Sequence, residues 1–329
     1  MPEDKLLQVS NLVKHFPLGR GLFSKPRAWV KALDGVSFTV GRGQSFGLVG
    51  ESGCGKSTLG RLVLRLLDPT AGSIFLAGKD ITHLSWAEMR TIRRQMQIIF
   101  QDPYSSLDPR MKVEAIITEP LRAHERPSRK QRRARAAALV AKVGLKPGDL
   151  DKYPHEFSGG QRQRIGIARS LCVRPQLVVA DEPVSALDVS IQAQIINLMA
   201  DLRDEFELSY VFISHDLGVV EHMCDQIAVM YLGVIVETAP AKVFSFGARH
   251  PYTCALLSAV PMPDPRRQVP PAPLEGDVPS PIDPPSGCAF RTRCKYAFEP
   301  CRTERPMLAE VAKNHYVACW LNKGTGGTP

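Results

Sequence analysis

The sequence predicts an α/β protein with a sheet core, a largely helical middle region, and a small proline- and cysteine-rich C-terminal segment. Three observations predict it. A short apolar strand, Ser45–Val49 (SFGLV), runs straight into a glycine-rich loop and then into Thr58–Leu67, which has helical spacing. From residue 161 onward helices alternate with strands: QRQRIGIARSLCV, QLVVAD, SIQAQIINLMADLRDEF, SYVFIS, LGVVEHMC and QIAVMYLG. Near-continuous apolar runs suit strands covered on both faces, as in a parallel sheet. Finally, Pro261–Pro285 holds ten prolines, which reads as an extended linker or wrapping segment and not as a packed element.

Taken in order, Leu6–Phe16 and Val30–Val40 alternate apolar and polar residues as strands do. A Gly/Pro/basic loop, PLGRGLFSKPRAW, separates them, and Gly41-Arg-Gly43 marks a turn. Residues 84–154 read mostly as helices, interrupted by the strand-like Gln97–Phe100. No internal repeat is visible. These features divide the chain into a core over 1–247, with its helical region at about 101–172, and an extension over 248–329.

Bulk properties narrow the function classes. The 329 residues are 44% hydrophobic and 23% charged, as in ordinary globular proteins. The longest apolar stretch, Ile227–Val236, is ten residues and includes Tyr231 and Gly233, whereas a spanning helix needs about 20. The beginning, MPEDKLLQVS, has no apolar core of a signal peptide, so the expected location is the cytoplasm or the cytoplasmic side of a membrane. Net charge is +9, and its densest run, Arg126–Arg135, lies in an Ala-rich helical segment with no interleaved aromatics. That pattern suits a solvated or membrane-facing helix and does not support base stacking, so no nucleic-acid partner is expected. Without a secretion signal the eight cysteines are expected to stay reduced.

The loop Gly50, Glu51, Ser52, Gly53, Cys54, Gly55, Lys56, Ser57 and Thr58 fits G-x-x-x-x-G-K-[ST] in its required strand–loop–helix setting. Glycines let successive backbone N–H groups turn inward around phosphate oxygens. Lys56 supplies a cation to the β- and γ-phosphates, and the Ser57 hydroxyl suits Mg²⁺. Downstream, Leu177-Val-Val-Ala180-Asp181-Glu182 ends an apolar strand in two acids, where open α/β sheets bind ligands. Asp181 is placed to hold Mg²⁺, directly or through water, and Glu182 to polarise an attacking water. Taken alone, the pair could instead be a helix cap, with Asp181 before Pro183.

With these residues in view, Phe157-Ser-Gly-Gly-Gln-Arg-Gln-Arg164 resembles the signature motif of ATP-binding cassette (ABC) ATPases. Gln101 in IIFQDPYSSLDP resembles that family's Q-loop, Ser185-Ala-Leu-Asp188 its D-loop, and His215 in ISHD its switch histidine. The resemblance implies an ABC-type phosphate-loop core with a mixed sheet and a helical subdomain. It implies that Glu182 is general base, that Gln101 and His215 sense the γ-phosphate, and that Gln101 joins Ser57 and Asp181 around Mg²⁺. It further implies that Ser158, Gly159, Gly160 and Gln161 clamp ATP bound to an opposing subunit, with Asp188 touching that second site. Phe16 is the aromatic expected to stack on adenine; Trp29 is the alternative.

Beyond the core, HPYTCALLSAVPMPDP and SPIDPPSGCAFRTRC resemble the C-terminal extension of oligopeptide and dipeptide importer ATPases. This implies an ATPase energising peptide import, peripheral at the cytoplasmic face of the plasma membrane. Its implied partners are a homologous second ATPase, two membrane permeases and an extracytoplasmic peptide-binding protein. Nickel complexes or glutathione are alternative solutes; a soluble cassette ATPase acting on nucleic acid and an iron–sulfur redox protein are alternative classes. The tail cysteines Cys288, Cys294, Cys301 and Cys319 follow C-x5-C-x6-C-x17-C, which is not a zinc ribbon's paired C-x2-C. The resemblance implies a [4Fe–4S] cluster there; zinc and unligated thiols stay open as alternatives. Cys54, Cys172, Cys224 and Cys254 read as packing residues.

Overall fold

The computed structural model describes residues 5–19, 26–125, 127–259, 274 and 276–322. Two sheets organise it. Strands β1 (Lys5–Leu18), β2 (Ala28–Gly41), β4 (Ala71–Leu76) and β5 (Lys79–Asp80) form an antiparallel sheet in the order β2-β1-β4-β5. The larger sheet is mixed. Its parallel part comprises β3 (Ser45–Val49), β6 (Met96–Ile99), β7 (Leu177–Asp181), β8 (Ser209–Ile213) and β9 (Gln226–Tyr231). Strands β10 (Val234–Pro240), β11 (Ala309–Ala312) and β12 (His315–Val317) extend it antiparallel, giving the order β11-β12-β10-β9-β3-β8-β7-β6.

Every residue of β3, β7 and β8 is buried, which is why these strands read as unbroken apolar runs. Successive side chains go to opposite faces. Leu177, Val179, Val211 and Ile213 join the core beneath the antiparallel sheet, together with Leu59 and Leu62 of helix Lys56–Val63. Val178, Ala180, Tyr210 and Phe212 join the other core, with Ile165 and Ile195 of helices Gly159–Leu171 and Val189–Phe206. Both faces of one sheet are thus covered, and its strand ends are left for the site.

The structure departs from the sequence expectations in three places. The helix after the loop is Lys56–Val63 and stops short of Leu67, because Arg65 sits in the left-handed region at φ 51 and its buried guanidinium bonds the Ile81 carbonyl at 2.9 Å. Strands β4 and β5 were not anticipated; AGSIFL has Gly72 at φ 89 and too few alternations to signal a strand. Strands β11 and β12 carry the tail onto the sheet edge beside β10, so part of the cysteine-rich segment is packed structure. Most of the expected Pro261–Pro285 linker lies outside the described residues.

The basic run has a structural role. Helix Arg129–Lys142 is capped by Ser128 and Gln131 and buries Ala136, Leu139 and Val140. Arg133 bonds Glu114 at 2.9 Å and Asp151 at 2.7 Å, joining three segments of the helical region.

Candidate active site

The glycine-rich loop is shaped by lack of room. Gly50 has φ 152, and a Cβ there would lie 2.3 Å from the Met230 carbonyl oxygen. Gly55 has φ 108, and its Cβ would lie 2.4 Å from the Ala32 oxygen. Both contacts are to backbone, so only glycine lets the loop pass between β2 and β9. Gly55 caps helix Lys56–Val63 without a side-chain bond, leaving the first-turn N–H groups facing the loop. The Lys56 ammonium is buried inside it, donating to the carbonyls of Gly50 at 2.7 Å and Glu51 at 3.0 Å.

The Ser57 hydroxyl ties the loop to the end of β7, donating to Asp181 Oδ1 at 2.9 Å. Burial pushes the Asp181 carboxyl above the usual carboxylate range, against the pull of Ser57, Arg61 and Lys56. A buried carboxylate beside a hydroxyl is an all-oxygen donor pair that suits a hard cation such as Mg²⁺, whose charge would favour the ionised form.

Glu182 follows in a backbone conformation that side chains rarely adopt, φ 47. It is held there by its N–H donating to the Ile213 carbonyl at 2.9 Å and by the Ser185 hydroxyl donating to its own carbonyl at 3.1 Å. The turn aims the carboxylate at two groups from neighbouring strand ends. Gln101 Nε2, beyond β6, donates to Glu182 Oε2 at 2.8 Å, and His215 Nδ1, beyond β8, lies 3.4 Å from the same oxygen. All three stand at the carboxyl ends of parallel strands, beside the loop that follows β3.

Ser158 is exposed and caps helix Gly159–Leu171 in a reciprocal box with Gln161: its hydroxyl accepts from the Gln161 N–H at 3.3 Å. A Cβ on Gly160 would meet Ile191 Cγ2 at 2.5 Å, so that glycine is required for packing against helix Val189–Phe206. Asp188 caps that second helix and is exposed, as is the neighbouring apolar Val189, at 81%. The Ser158 and Asp188 turns therefore face outward, while Gln101, Asp181, Glu182 and His215 gather around the loop.

Phe16 pairs with Val30, and Trp29 with Pro17 at the next rung, so Phe16 and Trp29 point to opposite faces of the β1–β2 arm. Only one of them can serve a given face; Phe16 is half-buried beneath the Lys14 ammonium, and Trp29 is 46% exposed.

In the tail, Cys288 and Cys301 are buried and Cys294 and Cys319 half-buried. Burial raises the thiols of Cys288 and Cys294, and that of Cys319 to about 12, with each also feeling its neighbours in the set. Among the described residues no group of three or more His, Cys, Asp or Glu is placed to hold a metal ion. Two residues that sequence reasoning missed, Tyr252 and Arg293, touch Glu51 of the loop from 201 and 242 positions away; separations of that size leave no local signal.

Known proteins align with this arrangement. The ABC transporter family matches residues 33–185, and the oligopeptide/dipeptide transporter C-terminal region matches 236–301. The oligopeptide transport ATP-binding protein AppF of Bacillus subtilis is 49% identical over 97% of this chain and 98% of its own length. The dipeptide transport ATP-binding protein DppF of Escherichia coli is 51% identical over 97% of this chain and 95% of its own. Among solved structures, the dimeric ATP-binding cassette MJ0796, in a post-hydrolysis state with ADP and Pi, superposes with a TM-score of 0.64 at 27% identity, over 72% of this chain and 99% of that one. No helix among the described residues is long and apolar enough to cross a membrane. With the glycine-rich loop, the paired acids and the convergent Gln101 and His215 in place, the chain belongs to the ABC transporter family of ATP-binding proteins, in the group that carries the oligopeptide/dipeptide transporter C-terminal region.

Proposed function

We propose that the chain is the ATP-hydrolysing subunit that energises import of di- or oligopeptides through membrane permeases. The observation that carries the reading is the convergence of Gln101 and His215 on one carboxylate oxygen of Glu182, next to the Ser57–Asp181 pair. The loop amides and Lys56 receive the β- and γ-phosphates of ATP. Ser57 and Asp181, with Gln101, would hold Mg²⁺, which would neutralise charge developing on the phosphates. Glu182 accepts the proton of the attacking water, and His215 and Gln101 hold that carboxylate toward the γ-phosphate. The outward-facing Ser158–Gln161 turn, with Asp188, addresses ATP held by a second cassette, so hydrolysis needs two subunits closed on each other. Support for pairing comes from the dimeric cassette it resembles, and support for peptides from the names of its relatives.

The second cassette is a homologous ATPase, the two permeases lie in the cytoplasmic membrane with this chain at their inner face, and an extracytoplasmic binding protein delivers peptide. The four tail cysteines would hold a [4Fe–4S] cluster. Four thiolates make a complete ligand set for such a cluster. When bound it would help order the small tail. The test of the ATPase reading is Glu182→Gln in the assembled transporter: turnover falls by about 10²–10⁴-fold while ATP binding persists. Unchanged turnover sinks the general-base assignment.

A further inference from the structure

The second residue of the phosphate loop is an acid in a place built for a polyanion, and the C-terminal segment holds it. Arg293 Nη1 lies 2.6 Å from Glu51 Oε2 and Nη2 lies 3.1 Å from Oε1, a two-pronged pair whose guanidinium is only 5% exposed. The pair holds the guanidinium pKa above its ordinary value, and the guanidinium stands 5.9 Å from the Tyr231 ring centre. The Glu51 N–H donates to the hydroxyl of Tyr252 at 2.9 Å. Tyr252 is fully buried in an aromatic group with Tyr231 and Phe290, at ring separations of 4.8–5.3 Å. Arg293 itself is aimed by a turn in which its N–H donates to the Phe290 carbonyl at 3.0 Å, immediately before Cys294.

We propose that Arg293 and Tyr252 are positioning residues for the phosphate loop, holding Glu51 neutralised and fixed so that the loop accepts the triphosphate. The inference rests on the reading of residues 50–58 as the ATP site. Its physical content is charge. Left unpaired, the Glu51 carboxylate opposes the phosphates at the mouth of the loop; paired with Arg293 it does not. Tyr252 fixes the backbone at the same residue, so the segment after the core sets the nucleotide affinity of the core.

The experiment uses the full chain, Mg²⁺ and ATP, with affinity read by displacement of a fluorescent ATP analogue and folding by thermal midpoint. Arg293→Met weakens ATP binding by about tenfold, and the gap narrows as salt rises. Adding Glu51→Gln to Arg293→Met recovers most of the loss, because the unpaired charge is gone, although the double variant has one native side chain fewer. Arg293→Lys, which keeps the charge but loses the fork, falls between. Tyr252→Phe weakens binding without a salt dependence. Arg293→Met binding as tightly as wild type overturns the proposal, as does a double variant whose loss is the product of the two single losses. A wild-type chain that binds ATP no better than Lys56→Ala overturns the phosphate-loop reading and the proposal with it.

Discussion

Acidification acts on the C-terminal segment through His250. Its imidazole is 1% exposed and caps helix Pro251–Ser258, with Nδ1 accepting the Tyr252 N–H at 3.1 Å. Protonation would remove that acceptor. The His250 N–H donates to Glu237 at 2.9 Å; Glu237 is fully buried and also takes the Arg249 N–H at 2.8 Å and His315 Nε2 at 2.7 Å. Despite the attraction of Glu237, burial pulls the His250 pKa from 6.5 down to about 4. Above about 6.5 the residue is neutral folded and unfolded, and its contribution to stability is intact. As pH falls from 6.5 to about 4 the unfolded chain takes up a proton that the folded one refuses, and stability declines. Each pH unit of the gap is worth about 1.36 kcal/mol, so the whole loss approaches about 3 kcal/mol. Urea unfolding across this pH range measures it, with hydrogen exchange of β10 and β12 locating the change. His250→Asn keeps a capping acceptor without titrating, so its stability falls less steeply with acid. Parallel pH profiles for variant and wild type would refute the assignment to His250.

Three other outcomes follow from the site and its supports. Ser57→Ala removes the hydroxyl bonded to Asp181, and the Mg²⁺ concentration for half-maximal ATP turnover rises about tenfold or more; an unchanged requirement counts against Ser57 and Asp181 as the metal's residues. Gly160→Ala puts a methyl 2.5 Å from Ile191 Cγ2, which costs about 1–3 kcal/mol in thermal or urea unfolding and slows turnover in the assembled transporter while leaving ATP binding by the isolated chain near wild type. Anaerobically purified chain is brown and contains iron and sulfide, and Cys301→Ser loses both; a colourless, iron-free wild type removes the cluster from the proposed function.

The contiguous part of the chemistry was legible from residue order. A five-residue buried strand, the loop at 50–58 and a following helix are local events, governed by apolar runs and by glycines where no Cβ fits. The strand ending in Asp181 and Glu182 was legible for the same reason. Weaker local signals failed: β4 and β5 are short and marked by glycine, and the helix after the loop is ended by Arg65, whose guanidinium partners lie outside the helix.

What the sequence determined by itself was the family and the candidate groups of the site, because each motif is a short run whose residue types carry its chemistry. Only the tertiary structure decided which groups meet. Parallel pairing of β7 with β6 and β8 brings Gln101 and His215 to one oxygen of Glu182, and the Ser57 bond ties the loop to Asp181. The same holds for the tail. Glu237, placed fully inside, gathers two backbone N–H groups and His315, and β12 pairs on the sheet beside it. A buried carboxylate must find donors wherever the chain can supply them, and those donors come from far along it. That docking carries Arg293 and Tyr252 onto Glu51, a contact between residues more than 200 positions apart that no local pattern encodes.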